Sequence, residues 1–159
     1  MSEVFLRIKK LLDEYELDYQ EFHHSHVHRS QDAAQIRGTR YEEAAKALIC
    51  KASDNIHDWF IMAVVPGPEK IDYAKLRKII CAKKLCLATP EEVLKKTGLT
   101  IGSIPPFGQL WHIPIYIEHS LLKNEFMVFS AGSHYYSIRI RTRDYLEAVP
   151  HAVEDFRKE

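Results

Sequence analysis

The sequence predicts an α/β (α+β) fold with a mixed β-sheet and surrounding helices, and two features carry that expectation. Helical and strand-like segments are interspersed irregularly along the 159 residues, and some strands follow one another closely enough to form hairpins. No glycine-rich phosphate fingerprint follows a strand, which disfavours a nucleotide cofactor. With 46% apolar residues the chain can bury a core without disulfides or metal. It contains no repeat, low-complexity tract or Gly/Ser linker, so residues 1–159 read as a single compact domain.

The elements follow in order. Ser2 to Tyr15 places Val4, Ile8, Leu11, Leu12 and Tyr15 at helical spacing, with Lys9, Lys10, Asp13 and Glu14 largely opposite, as in a surface helix. Ser30 as cap, Ala33 and Ala34 as helix formers and Gly38 as stop predict a second helix. The apolar runs Ala47–Ala52 and Trp59–Val65, split by Ser53, Asp54 and Asn55, predict a hairpin of buried strands with Lys46 at its entrance. Pro66, Gly67 and Pro68 break the second strand, and Asp72 caps a helix that turns Leu76, Ile79 and Ile80 inward and a basic face outward. Thr89-Pro90-Glu91-Glu92 combines a capping threonine, proline at the first helical position and glutamate three residues after the cap, so a helix runs from Pro90 to about Thr97 and stops at Gly98. Strands are expected at Ile113–Glu118, Glu125–Ser130 and Ser137–Arg141, then a short helix from Thr142, with Val153 and Phe156 closing the tail.

Charge and cysteine usage exclude several classes. Lys plus Arg and Asp plus Glu both total 22, and zero net charge argues against a stand-alone, non-specific DNA or RNA binder while leaving room for a brief or partner-assisted encounter with RNA. The N-terminus has no signal-peptide pattern and no apolar run approaches a membrane span, so a cytoplasmic protein without membrane attachment is expected. Cys50, Cys81 and Cys86 are odd in number, lie in apolar stretches and form no C-x-x-C pair, which reads as reduced core thiols.

Several segments can carry chemistry. Gly102-Ser103-Ile104-Pro105-Pro106-Phe107-Gly108 fixes backbone direction; it is either a rigid turn or a pocket wall whose glycine lets amides approach a ligand. Lys46 is a lone cation beside an apolar run, which either snorkels to water or faces a pocket where it would attract a phosphate or a developing oxyanion. His24, His26 and His28 would share one face if extended and could then hold a metal, although no acidic group lies nearby to orient them. Ser130-Ala131-Gly132-Ser133-His134 is a turn that could also bind a small polar ligand; without a G-x-S-x-G elbow, covalent serine catalysis is disfavoured. Arg139, Arg141 and Arg143 fall on one strand face, either solvated or meeting RNA phosphates.

Taken together, His24-x-x-Val27-x-x-Ser30-x-x-Ala33-Ala34, Lys46-Ala47-Leu48-Ile49, Val65-Pro66-Gly67, Leu87-Ala88-Thr89-Pro90-Glu91-Glu92-Val93, Gly102 to Gly108 and Ser130 to His134 resemble the YbaK/prolyl-tRNA-synthetase-associated domain family in order and spacing. The resemblance implies a compact α/β domain with a mixed, curved sheet and an aminoacyl-tRNA deacylase activity, that of a hydrolase that removes mischarged amino acids, such as alanine or cysteine on tRNA for proline. It implies no metal and no cofactor. Lys46 matches the family's essential lysine, placed to hold the terminal adenosine or its phosphate. Gly102, Ser103, Ile104, Pro105 and Pro106 match the loop that positions the ester, and His24, Ser130, Gly132 and His134 fall where the family lines its pocket. The implied partners are the acceptor end of aminoacyl-tRNA and prolyl-tRNA synthetase or another synthetase. No synthetase or anticodon-binding module occurs in the sequence, so the chain is similar to members that edit in trans. Two alternatives stand beside this one: a non-catalytic module binding a synthetase or an amino-acid-like ligand, and a metal-dependent hydrolase using the histidine cluster.

Overall fold

A computed structural model describes residues 2–24 and 38–159. Its first element, α1 (Glu3–Glu14), begins where the Ser2 hydroxyl accepts a hydrogen bond from the Phe5 amide at 3.1 Å. Phe5, Ile8 and Leu12 are its buried stripe, with Val4 and Leu11 packed half-buried beside them. Tyr15, expected inward, is instead the C-cap and is 49% exposed, because the backbone leaves helical geometry there and periodic spacing no longer determines its direction. The predicted helix from Ser30 to Gly38, with the histidines His26 and His28 before it, lies outside the described residues.

Among the described residues eight strands form two sheets. One has the order β1-β7-β6, comprising β1 (Tyr19–His23), β6 (Phe126–Ser130) and β7 (Tyr136–Arg141), all antiparallel. The other, β4-β2-β3-β5-β8, is built on the hairpin of β2 (Ala45–Ser53) and β3 (Asp58–Pro66). β4 (Lys84–Leu87) pairs antiparallel with β2, while β5 (Ile115–Glu118) and β8 (Ala152–Glu154) add in parallel on the far side of β3. A parallel bridge between Ala44 and Val128 joins the two sheets, so the expected mixed sheet is realised as two linked sheets, the smaller antiparallel and the larger mixed. β1, β4 and β8 were not legible as strands in the sequence. They are short, and each exists through its pairing with a distant segment.

Alternation sorts the strand residues into an inner and an outer side. The inner core joins Ala45, Ile49, Met62, Val64, Ile115 and Ile117 of the larger sheet to Met127, Phe129, Ile138 and Ile140 of the smaller one, with α1 packed on it. A second core lies on the outer side of the larger sheet, where Cys50, Ile61, Ala63 and Val65 meet Leu76 and Phe156. Leu76 comes from α2 (Tyr73–Ile79), whose Asp72 cap accepts from the Lys75 amide at 3.1 Å. In α3 (Pro90–Thr97) both halves of the predicted capping box are made, and Gly98 closes the helix at φ +76°.

Two further expectations are corrected. Only Cys50 is buried; Cys81 and Cys86 are exposed, because the turn after α2 and the edge position of β4 leave them uncovered. Arg143 does not continue the strand of Arg139 and Arg141, since β7 ends at Arg141 and Arg143 belongs to α4 (Thr142–Ala148). Among the described residues no helix is long and apolar enough to cross a membrane.

Candidate active site

The glycine-proline loop and the serine-glycine turn, about thirty residues apart in the chain, are fastened together. The Gly132 amide donates to the Ser103 carbonyl at 3.0 Å, and Thr100 Oγ1 and His134 Nε2 are in hydrogen-bond contact at 2.9 Å. Gly132 adopts φ +87°, and a Cβ there would come within 2.9 Å of Val4 on α1, so the turn requires glycine for both its conformation and its packing. Within the loop, Gly102 is exposed at φ +90°, and residues 103–108 are buried. The Ser103 hydroxyl donates to the Thr100 carbonyl at 2.7 Å, and the Tyr145 hydroxyl of α4 donates to the Pro106 carbonyl at 2.5 Å. Ile104 packs in the inner core, and Pro105 accepts from the Phe107 amide at 2.8 Å. The loop is therefore a rigid wall whose exposed point is its first glycine.

Register decides which side chains meet on the outer side. Ala44 and Val128 are direct partners, so Lys46, two residues on along β2, lies on the same side as Ser130, two residues on along β6. Ser130 pairs with Ser137 of β7, and Ser137 with Phe22 of β1. His24, one residue beyond β1, brings its Nε2 within 2.9 Å of the Ser137 hydroxyl, while its amide donates to the Tyr135 carbonyl. Lys46, Ser130, Ser137 and His24 thus occupy neighbouring strands of one outer surface, beside the turn that carries His134. His23 points the other way and meets Phe5 and Tyr136 edge-on.

Lys46 is half-buried, and its ammonium donates to the Glu69 carbonyl at 3.0 Å. Burial, reinforced by the neighbouring Lys70 charge and opposed by Glu69, holds its pKa below the ordinary lysine value. This is an ammonium with part of its hydration removed, suited to holding an anion. Nothing in the described geometry gives Ser130 an activating base: the Nε2 atoms of both His24 and His134 engage other hydroxyls. The arrangement favours binding and orienting an ester over attacking it with a protein nucleophile.

The sequence did not single out Thr100, Ser137, Glu69 or Tyr145. Thr100 stands two residues before Gly102 and could have been included as part of the loop. The others come near only through the fold.

The aminoacyl-tRNA editing domain family matches residues 24–148, a span that contains every candidate site residue. The chain belongs to this family. The multifunctional Ser/Thr-tRNA deacylase ProXp-y of Escherichia coli K12 is 29% identical over 153 residues, covering 96% of this chain and 92% of that protein. The proline–tRNA ligase of Thermosipho melanesiensis is 27% identical over 139 residues, 86% of this chain but 24% of the ligase. The editing-domain fold is also found in a crystal structure of a proposed trans-editing enzyme for prolyl-tRNA synthetase, with TM-score 0.82 at 24% identity and coverage of 100% of this chain and 99% of that one.

Proposed function

We propose that this chain is a hydrolase that deacylates mischarged aminoacyl-tRNA in trans in the cytoplasm, acting as one domain over residues 1–159 and without a metal or cofactor. The observation that carries the reading is the shared outer surface of Lys46, Ser130, Ser137 and His24 beside a loop and turn that are bonded to each other. The match to the E. coli deacylase over 96% of this chain and 92% of that protein supports the deacylase reading.

An aminoacyl ester is already activated, so positioning, a water and stabilisation of developing negative charge suffice. In this reading Lys46 holds the terminal adenosine or its phosphate. The exposed Gly102 end of the loop receives the ester carbonyl, with Ser103 to Pro106 keeping it rigid. Ser130, Gly132, His134 and His24 line the aminoacyl pocket and set the size it admits. The acceptor end of the tRNA is the partner, with prolyl-tRNA synthetase or another synthetase supplying charged substrate.

Alanyl and cysteinyl esters on tRNA for proline are the expected substrates from family resemblance, whereas the name of the E. coli relative points to seryl and threonyl esters. A deacylation panel across all four, run with wild type and Lys46→Ala, decides substrate and mechanism together. The variant should lose about a hundredfold or more in rate while keeping its fold, the scale seen when an electrostatic group of an active site is removed. An unchanged rate would remove Lys46 from the mechanism, and inactivity of the wild type on every ester would favour a non-catalytic binding module.

A further inference from the structure

The outer face of the larger sheet carries a row of cations that the hydrolytic step does not use. Between Lys70 and Lys84 the chain has six of its 22 basic residues and one acidic residue, Asp72, whose carboxylate is occupied in capping α2. Lys70 follows the residue whose carbonyl holds the Lys46 ammonium, and its charge is felt there. Lys75 and Lys78 project from α2, whose Leu76 packs on the outer core. The chain then turns back, and the Lys83 amide donates to the carbonyl of Ser53, the last residue of β2.

The row therefore follows β2 from Lys46 to Ser53, seven residue steps or about 23 Å at strand spacing. Lys70, Lys78 and Lys83 are exposed and make no ion pair with any described residue. Of the acidic neighbours, Glu69 is engaged with Arg157 at 3.5 Å, and Asp155 lies 3.8 Å from Lys75, which is the one member of the row with an ion-pair partner among the described residues. A row of cations beginning at the substrate lysine, three of them without an acidic partner among the described residues, on a chain with no net charge, is a local and directional attraction for a polyanion.

We propose that the double-helical acceptor stem of the substrate tRNA docks by its phosphate backbone along Lys70, Lys75, Lys78 and Lys83, directing its 3′ end to Lys46. This rests on the deacylase reading. Such contacts supply affinity and orientation without reading sequence.

The test is the double variant Lys78→Glu/Lys83→Glu, with Lys78→Gln/Lys83→Gln as a milder second pair; neither residue belongs to the catalytic surface. Binding of a fluorescent tRNA is measured by anisotropy across a salt series. Affinity should fall about tenfold or more at low salt, and the slope of log affinity against log salt should become shallower by about two, one per lost phosphate contact. In deacylation, KM for aminoacyl-tRNA should rise with kcat held, while the same ester on the 3′-terminal trinucleotide, which has no stem, should react as with wild type. Unchanged tRNA affinity and salt slope in a variant with wild-type melting would overturn the docking surface and leave the row to an acidic protein. Row-dependent tRNA binding by a wild type that deacylates no ester would support the surface and sink the deacylase reading, so the two stand or fall separately.

Discussion

Lys46 sits between opposing demands: burial disfavours its charge, and the Glu69 carbonyl and carboxylate favour it. Its folded pKa lies below the 10.5 of an unhindered lysine, so between those two values the unfolded chain binds more protons than the folded one. Stability must then rise with pH across that window, and below it the desolvation cost of the ammonium is fully present. Lys46→Met should remove this part of the rise, measured as the difference between wild-type and variant unfolding free energies from neutral pH up to 10.5. An anion held by Lys46 should loosen over the same window, which a non-hydrolysable substrate analogue would report. Among the residues, a cation beside an apolar run was legible as unusual. Its neighbourhood was not, because Glu69 reaches it across a turn and Ser130 across a bridge between strands more than eighty residues apart.

Local chemistry made some elements legible and left others hidden. The helix α3 is specified by Thr89, Pro90, Glu92 and Gly98 acting within a few residues, and it forms with the bounds its sequence predicts. Thr89→Ala breaks the hydrogen bond to the Glu92 amide and should cost about 1 kcal/mol in chemical denaturation, with activity unchanged because the cap is exposed. By contrast β1, with its sequence Tyr-Gln-Glu-Phe-His, sets two strand formers, Tyr19 and Phe22, out of alternating register on either side of Gln20 and Glu21, and its pairing with β7 decides its conformation. The sequence signals α4 but gives no sign that this helix braces the loop. Tyr145 on α4 is fully buried, and that burial pushes the phenol pKa upward, keeping it a neutral donor to Pro106. Tyr145→Phe strands a buried carbonyl and should cost about 1–3 kcal/mol. With the loop released, kcat should fall more than KM changes; a loss of stability alone would show that the loop is held by its other contacts.

At the scale of the whole molecule, two sheets share one inner core, and the close packing of the glycine-proline loop against β5 leaves little tolerance. A Cβ on Gly108 would lie 2.3 Å from the Ile113 carbonyl and 2.8 Å from Ile115, so Gly108→Ala must displace backbone. That variant should melt well below wild type or fail to accumulate as folded protein, whereas Gly98→Ala, with open space at Cβ, should suffer only the strain of φ +76°. The overall class was legible because composition and hairpin spacing speak for the average of the chain. The division into two sheets and the bridge between them were not, since sequence patterning gives the face of each strand but not its partner.

The pairing of β1 with β7 has a consequence for synthesis. Tyr19 finds Ile140, and His23 finds Tyr136, only after more than a hundred further residues have been made. At about 5–20 residues per second, the emerging N-terminal segment waits on the order of 6–24 seconds with its hydrogen-bonding edge bare. Until the ribosome has delivered the last third of the polypeptide, neither the turn that carries His134 nor the strand β7 that pairs beside His24 exists, so a truncated nascent product lacks the partner of β1 and exposes an unpaired strand edge.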